Sequence, residues 1–455
     1  MKNSLLLLPF FILTITLQQA SAQDPCKPEQ IHLALSDAFL PKPTTNNIIK
    51  VIFHTQEECK SAYISLKSPQ GSTNKIKATS VKLFTDTYTD GNYSTYIHVF
   101  DLKSLDFSST YEYSCYGTDD AFLAIPEGPF KFYVPSPNFD GNETKVVMFA
   151  DMDHSPEGMY TVNKLSNISQ SDFGKISAFI HNGDMSYNLI NAAGKNGDDY
   201  MNTIQKFTAT MPYMVTAGNH ENTRNFSNFN ARFQMPNYKE TKNHYYSYNI
   251  GNMHFVSFNL DLTLKNPNLT QNMLKWLEND LENASLNRNK QPWIIAYTHR
   301  PFYCSYPNDS DCANNSKIFA EFEDLLIKYD VDLVIGGHVH FYERMLPIKK
   351  GAMGSFQHDV NDKSFTKIVN PKSPIYVLQG MAGHRGDKAD PKEAYKGQNY
   401  TIWVSKAYSY LTISSKNSTH LLVENTKSRS GDINDYFSII RSSALEYAQL
   451  PPYQV

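Results

Sequence analysis

Apolar and polar positions alternate in short bursts over the first third of the chain. The segments IIKVIFHT (48–55), SAYISLK (61–67), SVKLFTDTYT (80–89), STYIHVFDL (94–102), TYEYSCYG (110–117) and FKFYVP (130–135) are rich in β-branched and aromatic residues. Turn residues separate them at intervals of roughly 8–12 residues, the spacing of an all-β sandwich. VPSPNFDGNETK, with two prolines and an Asp-Gly pair, reads as a linker. After it the pattern changes. Buried-type runs, KVVMFAD, KISAFIHNGD, PYMVTAGNH, PWIIAYTH and VDLVIGGHVH, predict strands, and helical periods fall near 158–170, at 198–209 and in QNMLKWLENDLENA and KIFAEFEDLLIKY. YYSYNIGNMHFVSFN predicts a hairpin, and PIYVLQG, YSYLTIS, HLLVEN and DYFSIIR read as a second group of strands. Strands alternating with helices predict an α/β layered domain. The expected division is a signal segment over 1–22, a β-sandwich over 23–137 and a layered α/β domain over 138–455.

The signal segment rests on Lys2, the apolar run LLLLPFFILTITL and the small-residue site ASA at 20–22. No later run has about 18 continuous apolar residues, so no membrane span is expected, and the stretch EYAQLPPYQV is not expected to act as a hydrophobic anchor tail. The expected location is the extracellular space or a lysosomal or vacuolar lumen. An oxidising compartment favours disulfides among the 5 cysteines. Cys304 and Cys312 bracket a polar loop and are the first candidates; Cys59–Cys115 is slightly favoured over other pairings with Cys26, and the cysteine left over permits a covalent homodimer. Glycosylation sequons stand at Asn92, Asn142, Asn167, Asn225, Asn268, Asn283, Asn308, Asn314, Asn399 and Asn417. A net charge of -3 supplies no electrostatic argument for nucleic-acid binding.

Candidate chemistry collects at the predicted strand ends: Asp151, Asp184, Asn219 with His220, His299, and His338 with His340. Side chains at i and i+2 of an extended chain share a face, so His338 and His340 project together, and the preceding glycines remove bulk where something must come close. Alone, such a pair also occurs as histidines bonded to nearby backbone. Ligand sites of open α/β sheets, however, lie beyond the carboxyl ends of strands, and here each strand delivers a donor. Carboxylates, an amide oxygen and imidazoles, with no thiolate, suit iron, zinc or manganese. The donors are too many for one tetrahedral ion. Two ions sharing a carboxylate, about 3.5–4 Å apart, would clamp the attacking and leaving oxygens of an in-line displacement.

The motifs GDMSY, GNHE, AYTHRP and GGHVHFYER together resemble those of the purple acid phosphatases, within the calcineurin-like metallophosphoesterases, of the large two-domain type. The resemblance implies a fibronectin III-like sandwich followed by a metallophosphoesterase domain. It implies Fe(III) on Asp151, Asp184, Tyr187 and His340, and a divalent ion (Zn, Fe or Mn) on Asp184, Asn219, His299 and His338, with Asp184 bridging. Asn219 and His220 would bind substrate, and His220 would help protonate the leaving alkoxide.

One departure stands out. The family's first motif is Gly-Asp-x-Gly, but here it reads ADMDHS, with Ala150 before the ligand and Asp153 at the second glycine. Asp153 either crowds the iron site, adds negative charge that repels a phosphate, or turns outward. His254 reads as structural, while His154 and His384 fall in loops that could line the pocket. The expected function is hydrolysis of phosphate monoesters in acid, with a hydroxide at the metal pair as nucleophile. The alternatives are a phosphodiesterase or nucleotide pyrophosphatase on the same scaffold, and a metal- or phosphate-binding protein without turnover.

Overall fold

A computed structural model describes residues 24–43, 45–120, 125–305, 317–384 and 399–441. The expected signal segment, Cys312, Asn308 and Asn314 lie outside them. The strands up to Val134 form two four-stranded antiparallel sheets. One runs in the order Glu29–Leu35, Asn47–Thr55, Gly91–Lys103, Ser80–Tyr88; the other runs Thr73–Lys77, Tyr63–Lys67, Ser109–Tyr116, Glu127–Val134. Alternation drives the packing. In Ser109–Tyr116, Tyr111, Tyr113 and Cys115 are buried while Glu112 and Tyr116 are only half-buried. Glu29–Leu35 and Thr73–Lys77 were not among the expected strands. The first is almost wholly buried and carries little alternation to read, and the second is polar and exposed.

The cysteine pairing differs from expectation. Cys26 bonds Cys59, and Cys115 is free and fully buried. The backbone N–H groups of Gln56 and Glu57 donate to the Pro25 carbonyl at 2.9 and 3.3 Å, which brings the start of the chain alongside Cys59. Cys115 instead points into the sandwich core, away from any surface where an interchain bond forms. Cys304 is disulfide-bonded; Cys312, its expected partner, lies outside the described residues. Asn92, Asn142, Asn167, Asn225, Asn268, Asn399 and Asn417 are exposed, and Asn283 is half-buried and accepts a hydrogen bond from Lys42 Nζ at 2.9 Å.

Two larger sheets follow. The first has the order Tyr213–Thr216, Phe179–Asn182, Thr144–Phe149, Ser409–Ser415, His420–Lys427, Ile433–Ile440, Lys367–Val369, with its first three strands parallel. The second runs Tyr245–Ile250, Met253–Phe258, Trp293–Tyr297, Leu333–Gly336, Ile375–Gln379, Tyr342–Lys349, Ala352–Met353, and Thr401–Ser405 pairs beside Tyr342–Lys349. The late strands thus extend both sheets instead of making a group of their own. One continuous hydrophobic core takes in residues of both sheets, such as Val147, Phe179, Phe255 and Ile295, and runs on into the sandwich at Val51, Phe100 and Tyr113. Polar contacts cross it too: Thr216 Oγ1 lies 2.6 Å from Ser257 Oγ, and Tyr246 Oη donates to the Val215 carbonyl at 2.8 Å. The helices Gly158–Ser171 and Lys195–Thr208 pack together, as do Pro267–Leu286 and Lys317–Lys328.

The sandwich is joined to this core by a buried polar knot. Arg232, fully buried, donates to Asn228 Oδ1 (2.6 Å), Tyr93 Oη (2.9 Å), Asp198 Oδ1 (2.8 Å) and Gln30 Oε1. A buried guanidinium is stable only when its donors are met in this way.

Candidate metal centre

Three adjacent parallel strands of the first sheet end just before Asp151, Asp184 and Asn219, and two adjacent parallel strands of the second end just before His299 and His338. Both sheets therefore deliver donors to one edge. The backbone is left-handed at Asp151 (φ 61), Asp184 (φ 55), Tyr187 (φ 43) and His338 (φ 74). Aspartate and histidine enter that region more readily than most residues, but a bulky side chain such as Tyr187 keeps it only where its surroundings enforce it. Gly337 shows why bulk is missing in the GGHVH turn. A Cβ there would sit 2.8 Å from Asp151 Oδ2.

The donors fall into two touching groups. In the first, Tyr187 Oη donates to Asp151 Oδ1 at 3.0 Å and lies 2.9 Å from His340 Nε2. His340 Nε2 is itself 3.4 Å from Asp151 Oδ1. In the second, ligand atoms of Asp184, His299 and His338 all lie within 4.8 Å of one another. His299 Nε2 is 3.2 Å from Asp184 Oδ2, and its Nδ1 is 2.8 Å from the Asn182 carbonyl, which fixes the tautomer with Nε2 facing the site. The groups are linked, because the His338 backbone N–H donates to Asp151 Oδ2 at 2.9 Å.

The electrostatics mark the place of a cation. Burial would lower the His299 pKa, but the Asp184 and Asp151 carboxylates outweigh it and push it up to about 10. Burial would raise Asp184, yet His299 and His220 hold it well below the usual carboxylate range. Burial, then the carboxylates of Asp151 and Asp184, push the Tyr187 phenol well above its ordinary value. A phenolate forms there only against a strong local positive charge. Asn219 Oδ1 is buried and has no hydrogen-bond partner among the described residues, as an amide oxygen awaiting a metal would be. The donors therefore fit a pair of hard or borderline ions.

His220 lies beside this edge. Its backbone N–H donates to Asp184 Oδ1 at 3.0 Å, its Nδ1 lies 2.7 Å from Asn188 Oδ1, and its Nε2 is 3.8 Å from Asp184 Oδ2. Burial lowers its pKa, partly offset by Asp184. Several contributors were not singled out from the sequence. The buried Glu221 carboxylate accepts from the backbone N–H groups of Asp184, Met185 and Gly218 at 2.9, 2.9 and 2.8 Å. Asn188 orients His220, and Arg300 Nη1 lies 3.2 Å from His338 Nε2 while its Nε donates to Asp261 Oδ1 at 2.6 Å. Glu221 sits inside GNHE and Asn188 directly follows GDMSY, so the motifs held the signal, but each acts through partners distant in sequence. His254 is bonded to Asn249 Oδ1 (2.7 Å) and Asp280 Oδ2 (3.0 Å) in a buried network of its own. His154 packs against Tyr200, with ring centroids 6.1 Å apart, and His384 lies against Tyr187.

Residues 144–342 match the calcineurin-like phosphoesterase family, and residues 373–436 match the family described as iron/zinc purple acid phosphatase-like protein C. The acid phosphatase type 7 of Danio rerio is 31% identical over 372 residues, 76% of this chain and 78% of that protein. The chain belongs to the purple acid phosphatase family. The purple acid phosphatase 18 of Arabidopsis thaliana is 25% identical over 408 residues, 87% of this chain and 80% of that protein. A purple acid phosphatase from yellow lupin (Lupinus luteus) seeds shares the fold at a TM-score of 0.74 and 20% identity, covering 91% of this chain and 75% of that one. Members of the family are phosphoesterases, and this chain is a metal-dependent phosphoric ester hydrolase. Membership implies a dinuclear, iron-containing centre, and the chemistry of the two donor groups above suits one.

Proposed function

We propose that the protein is a secreted or lumenal acid phosphatase that hydrolyses phosphate monoesters at a dinuclear centre of Fe(III) and a divalent ion. Asp151, Asp184, Tyr187 and His340 would hold Fe(III), and Asp184, Asn219, His299 and His338 would hold a divalent ion, zinc, iron or manganese. The observation that carries this reading is the contact of the Tyr187–Asp151–His340 group with the Asp184–His299–His338 group, linked through His338 and Asp151. When bound, the metals supply Lewis-acid charge on the phosphate oxygens and activation of water at low pH.

The chain's own residues do the rest. Asn188 Oδ1 accepts the Nδ1 proton of His220, so the proton that moves is the one on Nε2. A histidine whose burial lowers its pKa gives that proton readily to a leaving alkoxide. Glu221 fixes the turn that carries Asp184 and so orients the carboxylate shared by both ions. Secretion is supported by the apolar N-terminal run and the Cys26–Cys59 bond. Among the described residues, no helix is long and apolar enough to cross a membrane.

The test is metal analysis and an absorption spectrum on the native protein and on Tyr187→Phe, beside hydrolysis of chromogenic mono- and diesters across pH. The expected result is iron with one divalent ion, a visible charge-transfer band that Tyr187→Phe abolishes, and monoester turnover in acid. Preference for the diester makes the protein a phosphodiesterase; colour without turnover makes it a metal- or phosphate-binding protein. Iron without a visible band removes Tyr187 from the ligand set.

A further inference from the structure

The carboxylate that replaces the second glycine of the first motif is tied down on both oxygens. Asp153 Oδ1 accepts from the Ser155 backbone N–H at 3.0 Å and from the Ser155 hydroxyl at 2.5 Å. Ser155 Oγ accepts from the Gly158 N–H at 3.3 Å, which anchors the carboxylate to the start of the helix Gly158–Ser171. Asp153 Oδ2 lies 2.9 Å from His384 Nδ1. The backbone N–H of His384 donates to the Asp151 carbonyl at 3.0 Å. Its ring lies flat on the Tyr187 phenol, with centroids 3.4 Å apart and planes 13° from parallel, and edge-on to His340 at 5.1 Å.

Tyr187 needs such support. Its backbone is left-handed, a conformation a bulky side chain keeps only when its neighbours over-determine it. Two polar contacts hold its Oη and the His220 ring packs tilted against it at 4.5 Å, while the flat imidazole of His384 is its nearest ring contact. A glycine at 153 would leave His384 Nδ1 without this carboxylate.

We propose that Asp153 and His384 form a positioning pair that clamps the Tyr187 ring, with Asp153 orienting the imidazole and the imidazole face fixing the phenol beside Asp151 and His340. Asp153 therefore acts on the metal site through His384 and not through its own charge. The optical part of the test rests on Tyr187 being the iron ligand; the structural part does not.

The experiment uses the full protein and the variants Asp153→Gly, Asp153→Asn, His384→Ala and His384→Phe. For each, the visible band, the rate of iron loss to a chelator and the crystallographic position of Tyr187 are measured, with thermal unfolding as the folding control. Asp153→Gly and His384→Ala should shift the band, displace the ring and speed iron loss by roughly 10-fold, the usual scale for residues that orient a metal ligand. His384→Phe, which keeps a flat ring, should restore most of the native values, and Asp153→Asn, whose amide replaces one of the two acceptor oxygens, should fall between the native protein and Asp153→Gly. An unmoved Tyr187 ring in both His384→Ala and Asp153→Gly, with unchanged iron loss, overturns the proposal. A native protein that binds iron without colour sinks the ligand assignment instead, and the ring position and iron loss still decide the clamp.

Discussion

His98 in the sandwich and His299 in the layered domain are both almost wholly buried, at 0% and 1% exposure. His98 Nε2 meets Thr55 Oγ1 at 2.8 Å, Nδ1 has no hydrogen-bond partner among the described residues, and Phe53 stacks on the ring at 5.0 Å. Nothing there favours a charge, so burial drives its pKa down to about 4. His299 suffers the same burial, yet Asp184 and Asp151 raise it to about 10. Residue type and burial are shared; the carboxylates differ. A buried histidine marks a site only when acidic groups converge on it, and those same groups are what a cation would find there.

Removing Asp184, the carboxylate proposed to bridge the ions, is the harshest way to break the contrast. Asp184→Asn should make the surroundings of His299 resemble those of His98, with loss of both metals and a fall in monoester turnover of more than about 10⁴-fold, beyond the worth of one acid–base group. Metal analysis beside steady-state rates checks this; a variant that keeps both ions shows that Asp184 is not shared. His220→Ala should keep the metals and lower turnover by roughly 10²–10⁴-fold, most for substrates with poor leaving groups. Loss of metal in that variant would move His220 into the ligand set.

Much of this was legible because strand ends are local in sequence. Asp151, Asp184, Asn219, His299 and His338 each follow an apolar run that forms a buried strand, so their placement needed no knowledge of how the strands pair. What could not be read was non-local. Ile375–Gln379 inserts between Leu333–Gly336 and Tyr342–Lys349, and no local pattern announces a strand slipping between two earlier ones. The pairing of Cys26 with Cys59 depends on backbone bonds between Pro25 and residues 56–57. Glu221 works through backbone N–H groups, which every residue but proline carries and no motif spells out. The role of Asp153 was likewise undecidable until His384, far along the chain, was placed beside it.

The sandwich side of the comparison yields a stability prediction. The folded value of His98, about 4, lies below the ordinary histidine value of 6.5 that the unfolded chain would show. Above pH 6.5 neither state is protonated and His98 has no effect. As pH falls toward 4 the unfolded chain binds the proton first, so stability drops; below that the loss is complete, at most about 3 kcal/mol. His98→Gln removes this proton uptake, and its unfolding free energy should fall less steeply between those limits. Chemical denaturation at a series of pH values reads the slope, and identical slopes in both proteins would exclude His98 as a source of acid sensitivity.

The mildest prediction separates a carboxylate that serves the site from one that serves the fold. Glu221 is buried and accepts three backbone N–H groups around Asp184, while Asp101, in the sandwich, accepts from Lys50 Nζ at 2.6 Å and touches no ligand. Glu221→Gln weakens the acceptors and turns an amide N–H₂ toward backbone donors, so the turn at Asp184 should shift. Metal affinity should fall by about 10–100-fold, as for other groups that hold a ligand in place. Asp101→Asn breaks its ion pair and should lower stability while leaving metal affinity unchanged, since Asp101 lies outside the proposed ligand set. Chelator competition with zinc, run beside thermal unfolding on both variants, resolves the two effects. If Asp101→Asn weakens metal binding as much as Glu221→Gln does, the affinity of the centre tracks global stability, and the support assigned to Glu221 is not local.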